Sequence, residues 1–130
     1  MILFAVRSFL GNFREEGRDG KGIIFVFAAG NENRVGDDTN FQGFGANTRF
    51  TIPVASVGKN GTHAAYSTPG ASVFIAAPGG DIRQSETTVV TALNNGGCGV
   101  DGGDGTSWAA PRTYHLSKLF NLIELFEPTH

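Results

Sequence analysis

Two short strings in this sequence have the residue types that acyl-transfer chemistry needs. The first is Gly105-Thr106-Ser107-Trp108-Ala109-Ala110-Pro111, where a glycine-rich stretch delivers a serine to the start of a helix-forming segment. A hydroxyl at the head of a helix can attack a carbonyl carbon, and the unpaired N–H groups and positive dipole end beside it favour the anion that forms. Ala109 and Ala110 are small enough to let that helix pack closely. Read singly, Thr106 or Ser107 is a helix cap. The second string is a run of isoleucine, phenylalanine and valine over residues 23–27 that ends in Ala28 and continues into Ala29-Gly30-Asn31-Glu32-Asn33. Such a run suits a strand buried on both faces, as in a parallel sheet. The asparagine after it offers an amide donor, although Gly-Asn by itself is equally a tight turn.

These strings need elements to hold them. Ile2, Phe4, Ala5, Phe9 and Phe13 fall near a helical period, which the glycines of 17–22 then break. Residues 30–47 are polar and turn-rich, a long loop of the kind that carries function on a rigid scaffold. Residues 50–57, 73–77 and 87–93 have strand composition bounded by turn residues. From Thr106 onward Leu116, Leu119, Phe120, Ile123 and Phe126 follow helical spacing until Pro128. A helix, buried strands and a final helix predict an α/β layered domain, with hairpins open to the later strands. No internal repeat is visible.

The 130 residues, 40% of them apolar, suffice for one compact domain. A formal charge of −2 without long like-charged blocks gives no electrostatic reason for nucleic acid or an anionic membrane as partner. The opening apolar run is too short to span a bilayer, and Arg7 interrupts it before any cleavage site, so no signal peptide is read here. Cys98, the only cysteine, has no internal disulfide partner. Glycines concentrate at 17–22, 43–45, 79–80 and 96–105, marking turns or close backbone approach. Within the last cluster, residues 97–102 match the dinucleotide pattern G-x-G-x-x-G, yet Gly103-Asp104-Gly105 continues the loop where a helix should open. A phosphate loop fails too, lacking its lysine, and one copy of 96–104 cannot form the calcium nonapeptide coil. Asn60-Gly61-Thr62 is an N-glycosylation sequon and equally a turn.

The string Gly-Thr-Ser-x-Ala-x-Pro resembles the nucleophile signature of subtilases, and Ala-Gly-Asn resembles that family's oxyanion segment. The resemblance implies Ser107 as nucleophile and Asn31 as oxyanion donor, a role whose loss in subtilisin costs roughly 2.7–4 kcal/mol. It also implies a partial subtilase fold, mainly parallel sheet with flanking helices, a polypeptide substrate and no organic cofactor. Subtilases run Asp, His, Asn, Ser along the chain. No Asp-Ser-Gly or His-Gly-Thr string occurs in this sequence, so the triad Asp and His are expected from a missing N-terminal half of the domain. His63 lies between the matched motifs and reads as a surface or half-buried strand residue, while His115 and His130 lie beyond Ser107 without motif support.

Gly20-Lys21-Gly22, the Ala-Ala-Gly-Asn turn, Asn47 and His63-Ala64-Ala65-Tyr66-Ser67 most resemble the kexin-like proprotein convertase branch, over residues 17–111. In that branch the loop after the asparagine contributes to a calcium site beneath an acidic S1 pocket. The resemblance implies Asp37 or Asp38 as a calcium ligand, with a solvated acidic loop as the alternative. Gln42 stands where an acidic pocket residue is expected, and Thr68 where the branch often has glutamate. Residues 1–111 are read as the C-terminal portion of a subtilase catalytic domain and 112–130 as a divergent helical tail. After Pro111 the family continues with small residues, whereas Arg112-Thr113-Tyr114-His115 stands here, a run whose burial would cost stability. The expected activity is that of a serine endopeptidase fragment, inactive without its base, secreted if the parent carries a signal peptide. The alternative is a non-catalytic binding protein or truncated product on the same scaffold.

Overall fold

The computed structural model describes residues 11, 17, 19–20, 22–42, 46–81, 89–92, 94, 96–101 and 103–119. Three strands, β1 (Phe25–Ala28), β2 (Thr51–Val57) and β3 (Ile75–Pro78), form a parallel sheet in that order. The register pairs Ala28 with Val54, and Val54 in turn with Ile75. β2 is the central strand, and its apolar run is buried accordingly. Pro53 is tolerated within it because β3 begins only opposite Val54. The Pro53 carbonyl faces that side, accepting the Phe74 N–H at 3.2 Å, so the N–H that proline lacks has no ladder partner to serve there.

One α-helix, α1 (Thr106–Leu119), packs against all three strands. Their shared core is Val54, Ala77, Ala109 and Ala110, with Val26 and Ala28 packed beside it. Side chains this small bring the helix close to the sheet, as the alanines at 109 and 110 predict. The α/β layered architecture expected from the sequence is therefore present: a parallel sheet with a flanking helix. Among the described residues no helix is long and apolar enough to cross a membrane.

Two regions differ from the sequence reading. The glycine-rich approach to Ser107 is not all loop, because β5 (Cys98–Asp101) pairs antiparallel with β4 (Val89–Ala92). Glycine at 99 does not prevent this, since it sits opposite Thr91 in a two-stranded ribbon that needs no packed face. The run after Pro111 is also accommodated. α1 passes through Pro111 unbroken, and Arg112 reaches back so that its guanidinium donates to the Pro78 carbonyl at 3.0 Å. Thr113 is buried with its hydroxyl 3.4 Å from the Ala109 carbonyl, while Tyr114 and His115 are exposed. No charge within 112–115 is fully buried, so the cost expected for this run does not arise. The helix expected within 2–13 and the stretch after Leu119 with Pro128 lie outside the described residues.

Within the described residues β1 pairs on one side only, and all four of its residues are half-buried. Val35, Phe41, Phe74 and Val90 are each more than 60% exposed. Exposed large apolar groups are surfaces that associate or recruit hydrophobic probes. The chain by itself is therefore expected to bind a hydrophobic dye strongly, and a sharp cooperative melt without dye binding would show a self-sufficient domain instead.

Candidate active site

The end of β1 and the start of α1 are tied together by one buried side chain. After Ala28 the ladder continues for one bond, Ala29 N–H to the Val54 carbonyl at 3.0 Å. The chain then turns at Gly30, whose φ of 108° favours glycine. A Cβ there would lie 2.7 Å from Gln42 Nε2 and 2.9 Å from both Glu32 Oε2 and Thr68 Oγ1. Glycine is thus required twice, by backbone angle and by crowding. The Gly30 N–H donates to Thr106 Oγ1 at 3.1 Å. Thr106 is fully buried, and its own N–H and hydroxyl both donate to Asn31 Oδ1 at 2.9 Å.

This arrangement orients the Asn31 carboxamide. A backbone N–H only donates, so the oxygen of the amide must face Thr106 and Nδ2 must point away. Asn31 is exposed, and Nδ2 bonds to none of the described residues. It stands 3.5 Å from where a Cβ on Gly105 would be, so a side chain at 105 would crowd it. Ser107 follows Thr106 in the first turn of α1 and is exposed. The two strings singled out by sequence therefore meet at one end of the sheet, joined through Thr106.

A second, deeper tier supports the loop before Ser107. The Gly105 N–H donates to the Gly79 carbonyl at 3.0 Å. A Cβ at Gly79 would meet Ser56 Oγ, the Gly105 carbonyl at 2.5 Å and Ala109 Cβ at 3.2 Å. This is the close backbone approach expected at the 79–80 glycines. Beneath it the buried Tyr66 hydroxyl lies 2.6 Å from the Gly80 carbonyl, 3.1 Å from the Gly79 carbonyl and 2.7 Å from Ser56 Oγ. Burial raises the phenol above its ordinary pKa; the Ser56 hydrogen bond opposes the shift, and the Asp104 carboxylate adds to it. Thr106 as a clamp and Tyr66 as a support escaped the sequence reading. The signal for Thr106 was its place between Gly105 and Ser107; Tyr66 carried no signal separable from a core aromatic.

The loop after Asn31 closes on itself. The Asn31 N–H donates to Glu32 Oε2 at 2.6 Å, the Glu32 N–H to Thr68 Oγ1 at 3.0 Å, and Asn33 Nδ2 to the Ala65 carbonyl at 3.1 Å. Gln42 Nε2 donates to Asp37, and Asn40 donates through both its N–H and Nδ2 to Asp38 Oδ1. Asp37 and Asp38 are thus loop-closing acceptors. Among the described residues no group of three or more His, Cys, Asp or Glu comes together. His63 is an exposed residue bridged to Val57, and His115 is exposed on α1. His130 lies outside the described residues. Cys98 is exposed and free.

The sequence profile of the subtilase family matches residues 6–116. The chain belongs to the subtilase family. Kexin of Candida albicans (strain WO-1) is 38% identical over 110 residues, which are 84% of this chain and 11% of that protein. Proprotein convertase subtilisin/kexin type 7 of Homo sapiens is 37% identical over 98 residues, 73% of this chain and 12% of its own length. A calcium-dependent protease of Trichormus variabilis is 36% identical over 90 residues, 68% of this chain and 13% of its own. Among solved structures, a protease from Pseudoalteromonas arctica superposes with a TM-score of 0.64 at 30% identity, covering 92% of this chain and 34% of its own. The epidermin leader peptide processing serine protease of Staphylococcus aureus shares the fold, with a TM-score of 0.66 at 24% identity, covering 93% of this chain and 37% of its own. The chain thus spans 11 to 13% of these curated relatives and about a third of the solved chains.

Two outcomes follow for this subtilase chain. Replacing Thr106 by Val leaves the Gly30 N–H and the Asn31 oxygen short of partners, and is expected to cost about 1–3 kcal/mol in urea unfolding, whereas Thr106→Ser should cost less. Tyr66 governs the alkaline limb. Because its folded pKa is raised, the fold holds the neutral phenol; its contribution is intact below the ordinary tyrosine value of about 10 and is lost as pH rises through the folded value. Unfolding measured across that range should fall more steeply for the natural chain than for Tyr66→Phe, whose stability is lower at neutral pH.

Proposed function

We propose that this chain supplies the nucleophile and the oxyanion-binding side of a serine endopeptidase centre, with Ser107 as nucleophile and Asn31 as an oxyanion donor. The observation that carries the reading is the Thr106 clamp, which turns Asn31 Nδ2 outward beside the loop that presents Ser107. Ser107 Oγ would attack the carbonyl carbon of a peptide bond and give up its proton to a base. The resulting oxyanion would accept from Asn31 Nδ2 and from the Ser107 N–H, which lies in the first helical turn where no intrahelical acceptor is available. Collapse expels the amine and leaves an acyl-enzyme for water to cleave.

The base and its orienting carboxylate are assigned to a preceding portion of the domain, because neither family string occurs in this sequence. Residues 1–111 are accordingly the C-terminal portion of a catalytic domain and 112–130 its tail, a division of resemblance across which α1 runs continuously. The substrate class is polypeptide, and the relatives named as proprotein convertases suggest proproteins and a secreted or extracellular setting for the parent protein. Calcium is suggested by the name of the Trichormus variabilis relative, yet Asp37 and Asp38 are engaged with Gln42 and Asn40, and no step is routed through a metal.

A serine-directed fluorophosphonate tests this assignment. The chain alone should label slowly, and addition of a domain portion carrying the Asp and His motifs should restore fast labelling that Ser107→Ala abolishes. In that reconstituted enzyme Asn31→Ala should lower kcat by about 10²–10³-fold. Rapid labelling of the chain alone would mean that a local residue acts as base. Failure of labelling in the reconstituted enzyme would favour a non-catalytic role for the scaffold.

A further inference from the structure

Residues 59–63 form an exposed turn beyond the carboxyl end of β2. Its backbone closes it: the Gly58 N–H donates to the Thr62 carbonyl at 2.9 Å, the Gly61 N–H donates to the Gly58 carbonyl at 3.0 Å, and Val57 bridges to His63. Asparagine ordinarily earns its place in a turn in one of two ways. It takes a left-handed backbone angle, or its side chain bonds to the backbone nearby. Neither applies here. The left-handed residue is Gly61, with φ of 73°, and Asn60 makes no hydrogen bond to the described residues. The turn does not need this carboxamide, which is left in solvent.

Asn60-Gly61-Thr62 is the only Asn-x-Ser/Thr triplet in the sequence, and all three residues are exposed. We propose that Asn60 is an N-glycan acceptor. In the transfer, Asn60 Nδ2 forms a bond to the anomeric carbon of the first sugar of a lipid-diphosphate-linked oligosaccharide. The bond from that carbon to the phosphate oxygen breaks, Nδ2 loses one proton, and the lipid diphosphate leaves. The folded chain has room for the product: a Cβ at Gly61 would meet nothing within 4 Å, and the flanking Lys59 and His63 are exposed. Glycosylation of such a triplet marks a surface loop of a secreted protein. In nature the inference rests on the secreted setting proposed above, and the test below separates the two.

The chain is expressed behind an added cleavable secretory signal in a eukaryotic host, so that acceptor competence is read without relying on the natural route or on protease activity. A single mobility shift is expected, removed by peptide-N-glycosidase and converted in heavy-oxygen water to labelled aspartate at position 60. Asn60→Gln and Thr62→Ala should each lose the shift, and Thr62→Ser should keep it. Transfer occurs on the emerging chain, so a variant that folds poorly still reports. The proposal is overturned by the absence of a shift, by a shift that survives Asn60→Gln, or by conversion of Asn60 to aspartate with no carbohydrate attached.

Discussion

The site depends on the buried hydroxyl of Thr106. It accepts the Gly30 N–H and donates to the Asn31 oxygen, while the Thr106 N–H donates to that same oxygen. These three bonds join a loop at the end of β1 to the head of α1 across 75 and 76 residues of sequence. Buried polar groups are costly unless satisfied, and a satisfied network rigidifies what it joins. The clamp therefore sets two things together: where α1 begins, and which way the Asn31 amide points.

Around the clamp, polar side chains carry much of the packing. Of the seven largest fully buried side chains among the described residues, Val54 alone is apolar; the others are Thr39, Thr68, Thr106, Asp81, Ser56 and Ser67. The apolar core is correspondingly small and rich in alanine. Short side chains leave α1 and the sheet close enough for backbone groups to meet, as at Gly79 and Gly105. Hydrogen bonds then hold the interface in a fixed register, which a smooth apolar contact would not. Position matters more here than bulk, as the centre proposed above needs a hydroxyl and an amide donor to converge on one small oxyanion.

The subtilase assignment fits this economy of parts. The chain matches the family over most of its length yet spans a minor part of each relative described above. Within it, the loop of residues 31–42 and the stretch 63–68 wrap Gly30 and close on each other through Glu32, Asn33 and Thr68, while Gln42 bonds to Asp37 inside the loop. Gln42 and Thr68 make these contacts as neutral groups. Within the loop Asp37 and Asp38 serve as hydrogen-bond acceptors.

Local pattern was enough to identify β1 and β2, the head of α1 and the two chemical strings, because burial on both faces and a glycine-led serine leave marks on consecutive residues. The family, too, was legible in Gly-Thr-Ser-x-Ala-x-Pro and Ala-Gly-Asn, since each constraint acts within one turn of chain. Tertiary structure decided what depends on distant partners. It paired β5 with β4 in a glycine-rich stretch, because cross-strand partners can supply what local propensity lacks. It placed Arg112 on the Pro78 carbonyl, so that a charge which looked misplaced in a buried helix is satisfied at the end of β3. It gave Thr106 and Tyr66 their roles, and engaged Asp37 and Asp38 with amide donors. A hydrogen bond spanning many residues leaves no periodic trace in sequence, so the string could name the neighbours of Ser107 but not what holds them.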